Sequence, residues 1–333
     1  MPPIPGVLYP PIERLSRQLK SASVESTDAR FLSTTGMSST TFQNFHQLFE
    51  LAPYSRVQRN SFDNAAVLRA LRSNPSFARM KNEGCYGEVP PLFMAVSLGA
   101  TEELVGLLCD FYPESLEITD RHGRTPLHQA VEFGASPNVV RYLLGRRSDS
   151  AAEADQIGRT PLHCAAAYGA SLEIAKMLCT SCPHAAFQKD RRGRLPLHVI
   201  CAQEDADLDF VKFLLEANPR AVVERTAESV TALEIVEKGR APLEIIFPLS
   251  AVALMIKEVP TCAKVASLVK RLNAMNWPRG VFIYMDLQTS VTHFLSSGHD
   301  IKMMPQILSV VAHKCKADTL FSIVKERLPG IIR

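Results

Sequence analysis

The chain has a single tryptophan in 333 residues and no long uninterrupted apolar run. Its longest such stretch, residues 245–256, is broken by Pro248 and Ser250 and falls well short of the ~20 residues that cross a bilayer, so no membrane span is expected. An excess of either charge is also lacking. Against 37 Lys and Arg stand 34 Asp and Glu, and the net +3 is far from the basic footprint of a dedicated nucleic-acid binder. Cysteines are not crowded as in a small secreted disulfide scaffold. Cys85, Cys109, Cys164, Cys179, Cys182, Cys201, Cys262 and Cys315 are scattered among apolar neighbours, which predicts reduced and mostly buried thiols. The opening Met1-Pro2-Pro3-Ile4-Pro5 has no basic segment followed by an apolar one, so no secretory signal is read. There is no nucleophile elbow, phosphate-binding glycine loop, HExxH or kinase motif set. These absences predict an intracellular protein, cytoplasmic or nuclear, that is not an enzyme and needs no metal or cofactor.

What the sequence does have is a period. Asp120-Arg121-His122-Gly123-Arg124-Thr125-Pro126-Leu127-His128 recurs at Asp155–His163 and Asp190–His198, with Leu127, Leu162 and Leu197 spaced 35 residues apart. Pro91-Leu92-Phe93 keeps that register one step upstream, and Ala232-Leu233-Glu234 follows one step downstream after 36 residues. The second half of each unit carries a matching apolar segment: Leu104–Leu108, Val139–Leu143, Ile174–Leu178 and Phe210–Leu214. That spacing suits a helix buried on one face. Pro113, Pro183 and Pro219 then end the helix at equivalent places, with Ser148 in the corresponding position of the second unit.

A period near 33 with Thr-Pro-Leu-His resembles the ankyrin-repeat family, and the resemblance covers roughly residues 85–250. Thr125 and Thr160 are placed to cap the first helix of a repeat. Pro126, Pro161 and Pro196 suit its first position, and Gly123, Gly158 and Gly193 suit a positive φ in the preceding turn. Leu127, Leu162 and Leu197 would fill the core. The resemblance implies that His128, His163 and His198 bind loops of neighbouring repeats rather than a metal. It implies an all-α solenoid with β-turn or hairpin fingers and a helical C-terminal extension. The expected organisation is a disordered Ser/Thr-rich tail at 1–40, a divergent capping repeat at 41–84, five repeats at 85–119, 120–154, 155–189, 190–225 and 226–250, and a helical cap at 251–333. Departures from the motif fall at Phe93, Leu195, Ser229, Ala232 and Glu234.

The function the resemblance implies is that of a protein-binding scaffold or adaptor. Its partner would lie on the concave surface of finger tips and first helices, with Gln129, Glu132, Phe133, Cys164, Ala167, Tyr168, Val199 and Gln203 exposed there. Aligned turns would also stack Arg121, His122, Arg124, Arg159, Lys189, Arg191, Arg192 and Arg194 into a basic ridge suited to an acidic protein partner, with Gln156 and Ile157 as further candidate contacts at the tips. Nucleic-acid association through that ridge, or an activity in 251–333, is the alternative. Cys179-Thr180-Ser181-Cys182 has CxxC spacing but no second ligand pair, so helix packing is the favoured role.

Overall fold

The computed structural model describes residues 62–84 and 87–257, together with Leu48, Trp277 and Gly280. The expected tail at 1–40, most of the capping segment before Phe62 and the helices expected after 257 lie outside the described residues. The chain forms two compact units, residues 1–199 and 200–333.

In the first unit, α1 (Asn64–Ser73) is followed by a small antiparallel hairpin of β1 (Asn82–Gly84) and β2 (Gly87–Val89), in which Glu83 pairs with Glu88. Helix pairs then succeed one another: α2 (Pro91–Leu98) with α3 (Glu102–Phe111), α4 (Pro126–Glu132) with α5 (Pro137–Arg146), and α6 (Pro161–Tyr168) with α7 (Leu172–Ser181). Inner helices α2, α4 and α6 pack in one row. Outer helices α1, α3, α5 and α7 pack in a second. Each inner helix is short and almost wholly buried; in α2 all eight residues are inside. Helix α8 (Pro196–Cys201) contains the division between the units.

The outer helices share their ends as well as their apolar faces. Thr101, Ser136 and Ser171 accept the backbone N–H three residues on, each at 3.4 Å, and Asp63 does the same for α1 at 2.9 Å. At the other end Asn74, Tyr112, Arg147 and Cys182 adopt one extended conformation, with φ between −149° and −136°. A short 3-10 turn then begins at Pro75, Pro113, Ser148 or Pro183. Helix α1 thus ends as a repeat helix does, in keeping with its place in the outer row.

The second unit contains α9 (Leu208–Ala217), α10 (Ala232–Lys238) and α11 (Leu243–Lys257). Helix α11 packs on both α9 and α10, burying Leu249 and Val252. The only tryptophan, Trp277, is 3% exposed and donates its indole N–H to Glu216 at the end of α9, at 2.7 Å. Gly280 lies against that ring so closely that a Cβ there would stand 2.7 Å from a ring carbon.

Candidate functional site: a row of stitched turns

Three turns precede α4, α6 and α8, and each is organised by its first residue. The Asp155 carboxylate accepts the N–H groups of Ile157 and Arg159 through Oδ1, at 3.0 and 2.8 Å, and the Arg159 Nε–H through Oδ2, at 2.9 Å. Asp120 does the same with His122 and Arg124, and Asp190 with Arg192 and Arg194. Glycine closes each turn with φ of +73°, +81° and +69° at Gly123, Gly158 and Gly193, a conformation that side chains disfavour. At Gly158 close approach adds a second reason: a Cβ would lie 2.8 Å from the backbone N of Arg191.

The turns are bonded to one another. Gln156 N–H donates to the His122 carbonyl and Arg191 N–H to the Ile157 carbonyl, both at 2.9 Å. Behind the tips, histidines make a second set of links. Backbone N–H of Thr160 donates to His163 Nδ1 at 3.2 Å, which places the imidazole proton on Nε2. That Nε2–H then donates to the Arg194 carbonyl of the next turn at 3.0 Å. His128 bridges Thr125 and the Arg159 carbonyl identically. Both rings are fully buried, and burial above all pushes their pKa down to about 4, so they are neutral. His198 accepts from Leu195 N–H at 3.2 Å, although Leu195 supplies no hydroxyl.

This geometry corrects the expected ridge. Arg124 and Arg159 are 7% and 5% exposed, and neither belongs to an exposed basic row. Arg124 binds Asp120 at 2.8 Å and Glu132 at 2.6 Å; those two carboxylates outweigh the effect of burial and raise its pKa. Arg159 binds Asp155 and also hydrogen-bonds the Tyr168 hydroxyl. Arg194, half-buried, pairs with Asp190 at 2.8 Å. Three carboxylates therefore cancel three of the positive charges assigned to the ridge. What stays exposed is Arg121, Gln156, Ile157, Arg191 and Arg192, with His122 half-buried. Arg121 Nε–H donates to His122 Nε2 at 3.2 Å, and burial, then the nearby Arg124 charge, lowers the His122 pKa.

The inner-helix surface is also narrower than expected. Gln129 is completely buried because its amide donates to Asp120 Oδ2 at 3.0 Å, turning it toward the turn rather than outward. Cys164, Phe133 and Val199 are buried too, packed into the core that the short inner helices share. Burial raises the Cys164 thiol to about 12. Glu132, Ala167, Tyr168 and Gln203 are half-buried and remain as surface. Tyr168 is pushed up to about 12, chiefly by burial and next by the Glu132 charge.

The cysteine pair sits at the end of α7. Cys182 donates its N–H to Leu178, and burial raises the Cys179 thiol to about 12, keeping it protonated. Among the described residues no three His, Cys, Asp or Glu side chains converge on a point where a metal could bind. No helix among them is long and apolar enough to cross a membrane.

The family model described as "Ankyrin repeats (3 copies)" matches residues 60–154 and 147–226. The chain belongs to the ankyrin-repeat family. Its members are generally protein–protein interaction modules. No curated protein matches the chain.

Proposed function

We propose that this protein is a non-catalytic scaffold or adaptor that holds an acidic partner protein along its finger tips and the adjoining inner-helix surface. We place the binding array on five repeats over residues 85–250, capped by 41–84 and 251–333. One observation carries the reading. The tips at 121–122, 156–157 and 191–192 are locked in a row by the Gln156–His122 and Arg191–Ile157 backbone bonds, yet their side chains face solvent. Such a surface is already ordered, so binding forfeits little conformational freedom. Arg121 and Arg191, exposed at the first and third tips, give it positive charge. The internal pairing of Arg124, Arg159 and Arg194 leaves too little charge for the nucleic-acid alternative to gain support.

The test uses the full chain expressed in cells and quantitative affinity purification. Arg121→Glu, Arg191→Glu and Arg192→Glu together should deplete captured proteins, while Arg141→Glu with Lys176→Glu on the outer helices should not. The thermal midpoint should hardly move for either set, since exposed charges add little stability. Equal depletion by both sets would mean a general charge effect. No depletion by the tip set would place the binding surface elsewhere.

A further inference from the structure

Ile157 is 40% exposed at the tip of the middle turn, one of few large apolar side chains so exposed among the described residues. Its exposure is not that of a loose loop. Its N–H donates to Asp155 and its carbonyl accepts from Arg191, so the backbone is held from both sides. The turn before it presents Arg121, steadied by His122, and the turn after it presents Arg191. An apolar point therefore stands between two cationic points in a fixed row.

We infer that the three tips read a short extended acidic segment that carries one large apolar residue midway between two acidic positions. The inference rests on the proposed tip surface and adds to it the chemistry and spacing of the partner. Packed helices lie about 8–10 Å apart, which sets roughly 10 Å from each tip to the next. An extended chain advances about 3.3 Å per residue, so three residues cover one step. The matching pattern is acidic, two spacers, apolar, two spacers, acidic. A helix would need about seven residues per step and would order twice as much chain for the same three contacts. The carboxylates meet Arg121 and Arg191, and the apolar side chain covers Ile157.

The probe is a synthetic nonapeptide with two glutamates at each end, a central leucine and serine spacers, followed by fluorescence anisotropy with the full-length protein. It should bind, and replacing its leucine with serine, or Ile157 with serine in the protein, should each weaken binding about tenfold, equivalent to about 1.4 kcal/mol. Moving the leucine next to one glutamate pair should do the same. Arg121→Glu with Arg191→Glu should abolish binding. Ile157→Ser is expected to fold normally, because only backbone atoms of Ile157 bond the next turn; an unchanged circular dichroism melt checks this. If the leucine and serine peptides bind equally, or Ile157→Ser changes nothing while the arginine reversals abolish binding, the spacing code is wrong and the general tip surface stands. If no acidic peptide binds, the inference fails whatever the affinity purification shows. If the arginine reversals affect neither peptide nor cellular partners, both readings fail.

Discussion

The turn at 155–159 and the turn at 226–230 have the same backbone and different side chains. In both, the first residue exchanges bonds with the last and the fourth N–H closes on the first carbonyl. Asp155 pairs with Arg159 and Gly158 with Asp155; Thr226 pairs with Val230 and Ser229 with Thr226. In the first turn a carboxylate satisfies two N–H groups and an arginine, glycine takes the positive φ, and a histidine reaches onward. In the second, Thr226 offers one hydroxyl, which accepts from Val230 N–H at 3.3 Å. Ser229 takes φ +60° without glycine's freedom. Glu234 stands in the histidine's place and accepts the Thr231 N–H at 3.2 Å, completing a capping box. Arg225, which precedes the turn, grips the Ser229 carbonyl and pairs with Glu234. The hydrogen-bond pattern of the turn is thus what the fold requires. The signature residues are the low-strain way to supply it, and the histidine is needed only where another turn is to be tied on.

The largest expected contrast is with pH. His128 and His163 have folded pKa values of about 4 against 6.5 for an ordinary histidine, so the unfolded chain binds more protons between those values. Their contribution is complete above pH 6.5 and is lost as pH falls toward 4, after which they add no further loss. At about 1.4 kcal/mol for each pH unit across that interval, each ring accounts for roughly 3 kcal/mol. Urea unfolding at pH 7, 5.5 and 4.5 should show this slope, and His128→Gln with His163→Gln should flatten it. The 226–230 turn has no histidine at the equivalent position and adds nothing to that histidine slope.

Gly158→Ala comes next. It combines a left-handed backbone with a Cβ 2.8 Å from a neighbouring backbone nitrogen and should cost about 3 kcal/mol. A loss under about 1 kcal/mol in denaturant midpoint would show that the stacked turns can move apart easily. His163→Ala should cost about 2 kcal/mol by leaving the Thr160 N–H and Arg194 carbonyl without their ring partner. Glu234→Ala should cost about 1 kcal/mol, because a cap is lost together with a solvent-screened ion pair to Arg225 that adds little. If Glu234→Ala proved the costlier of the two, the onward link would not be what distinguishes the turns. The smallest effect has the opposite sign. Ser229→Gly should stabilise the second unit by about 1 kcal/mol by relieving a left-handed non-glycine residue. Trp277 is buried in that unit and bonded to Glu216, so a higher denaturant midpoint by its fluorescence checks the gain.

Much of the fold could be read before any coordinates, because ankyrin turns and caps are local. Asp, Gly, Thr and Pro act within four residues of themselves, and Leu127, Leu162 and Leu197 mark the core at a fixed period. The helix pairs, the positive φ at the three glycines and the proline-led 3-10 turns all follow from such short-range rules. The outer-helix caps Thr101, Ser136 and Ser171 were equally available, each lying three residues before a buried aliphatic.

The candidate site was harder to read. Asp120 and Arg124, Asp155 and Arg159, and Asp190 and Arg194 recur at the same spacing, and that recurrence was the available signal that the arginines are paired. Counted as separate charges, they suggested a continuous ridge. Arginine has a long side chain whose direction is set by the nearest carboxylate, and Gln129 is likewise turned inward by Asp120. Sequence by itself determined the repeat, its turns and its cores, because those depend on backbone preferences and apolar periodicity. Only the tertiary structure decided which charges are consumed inside and which remain at the tips, because that depends on partners brought together across turns and helices.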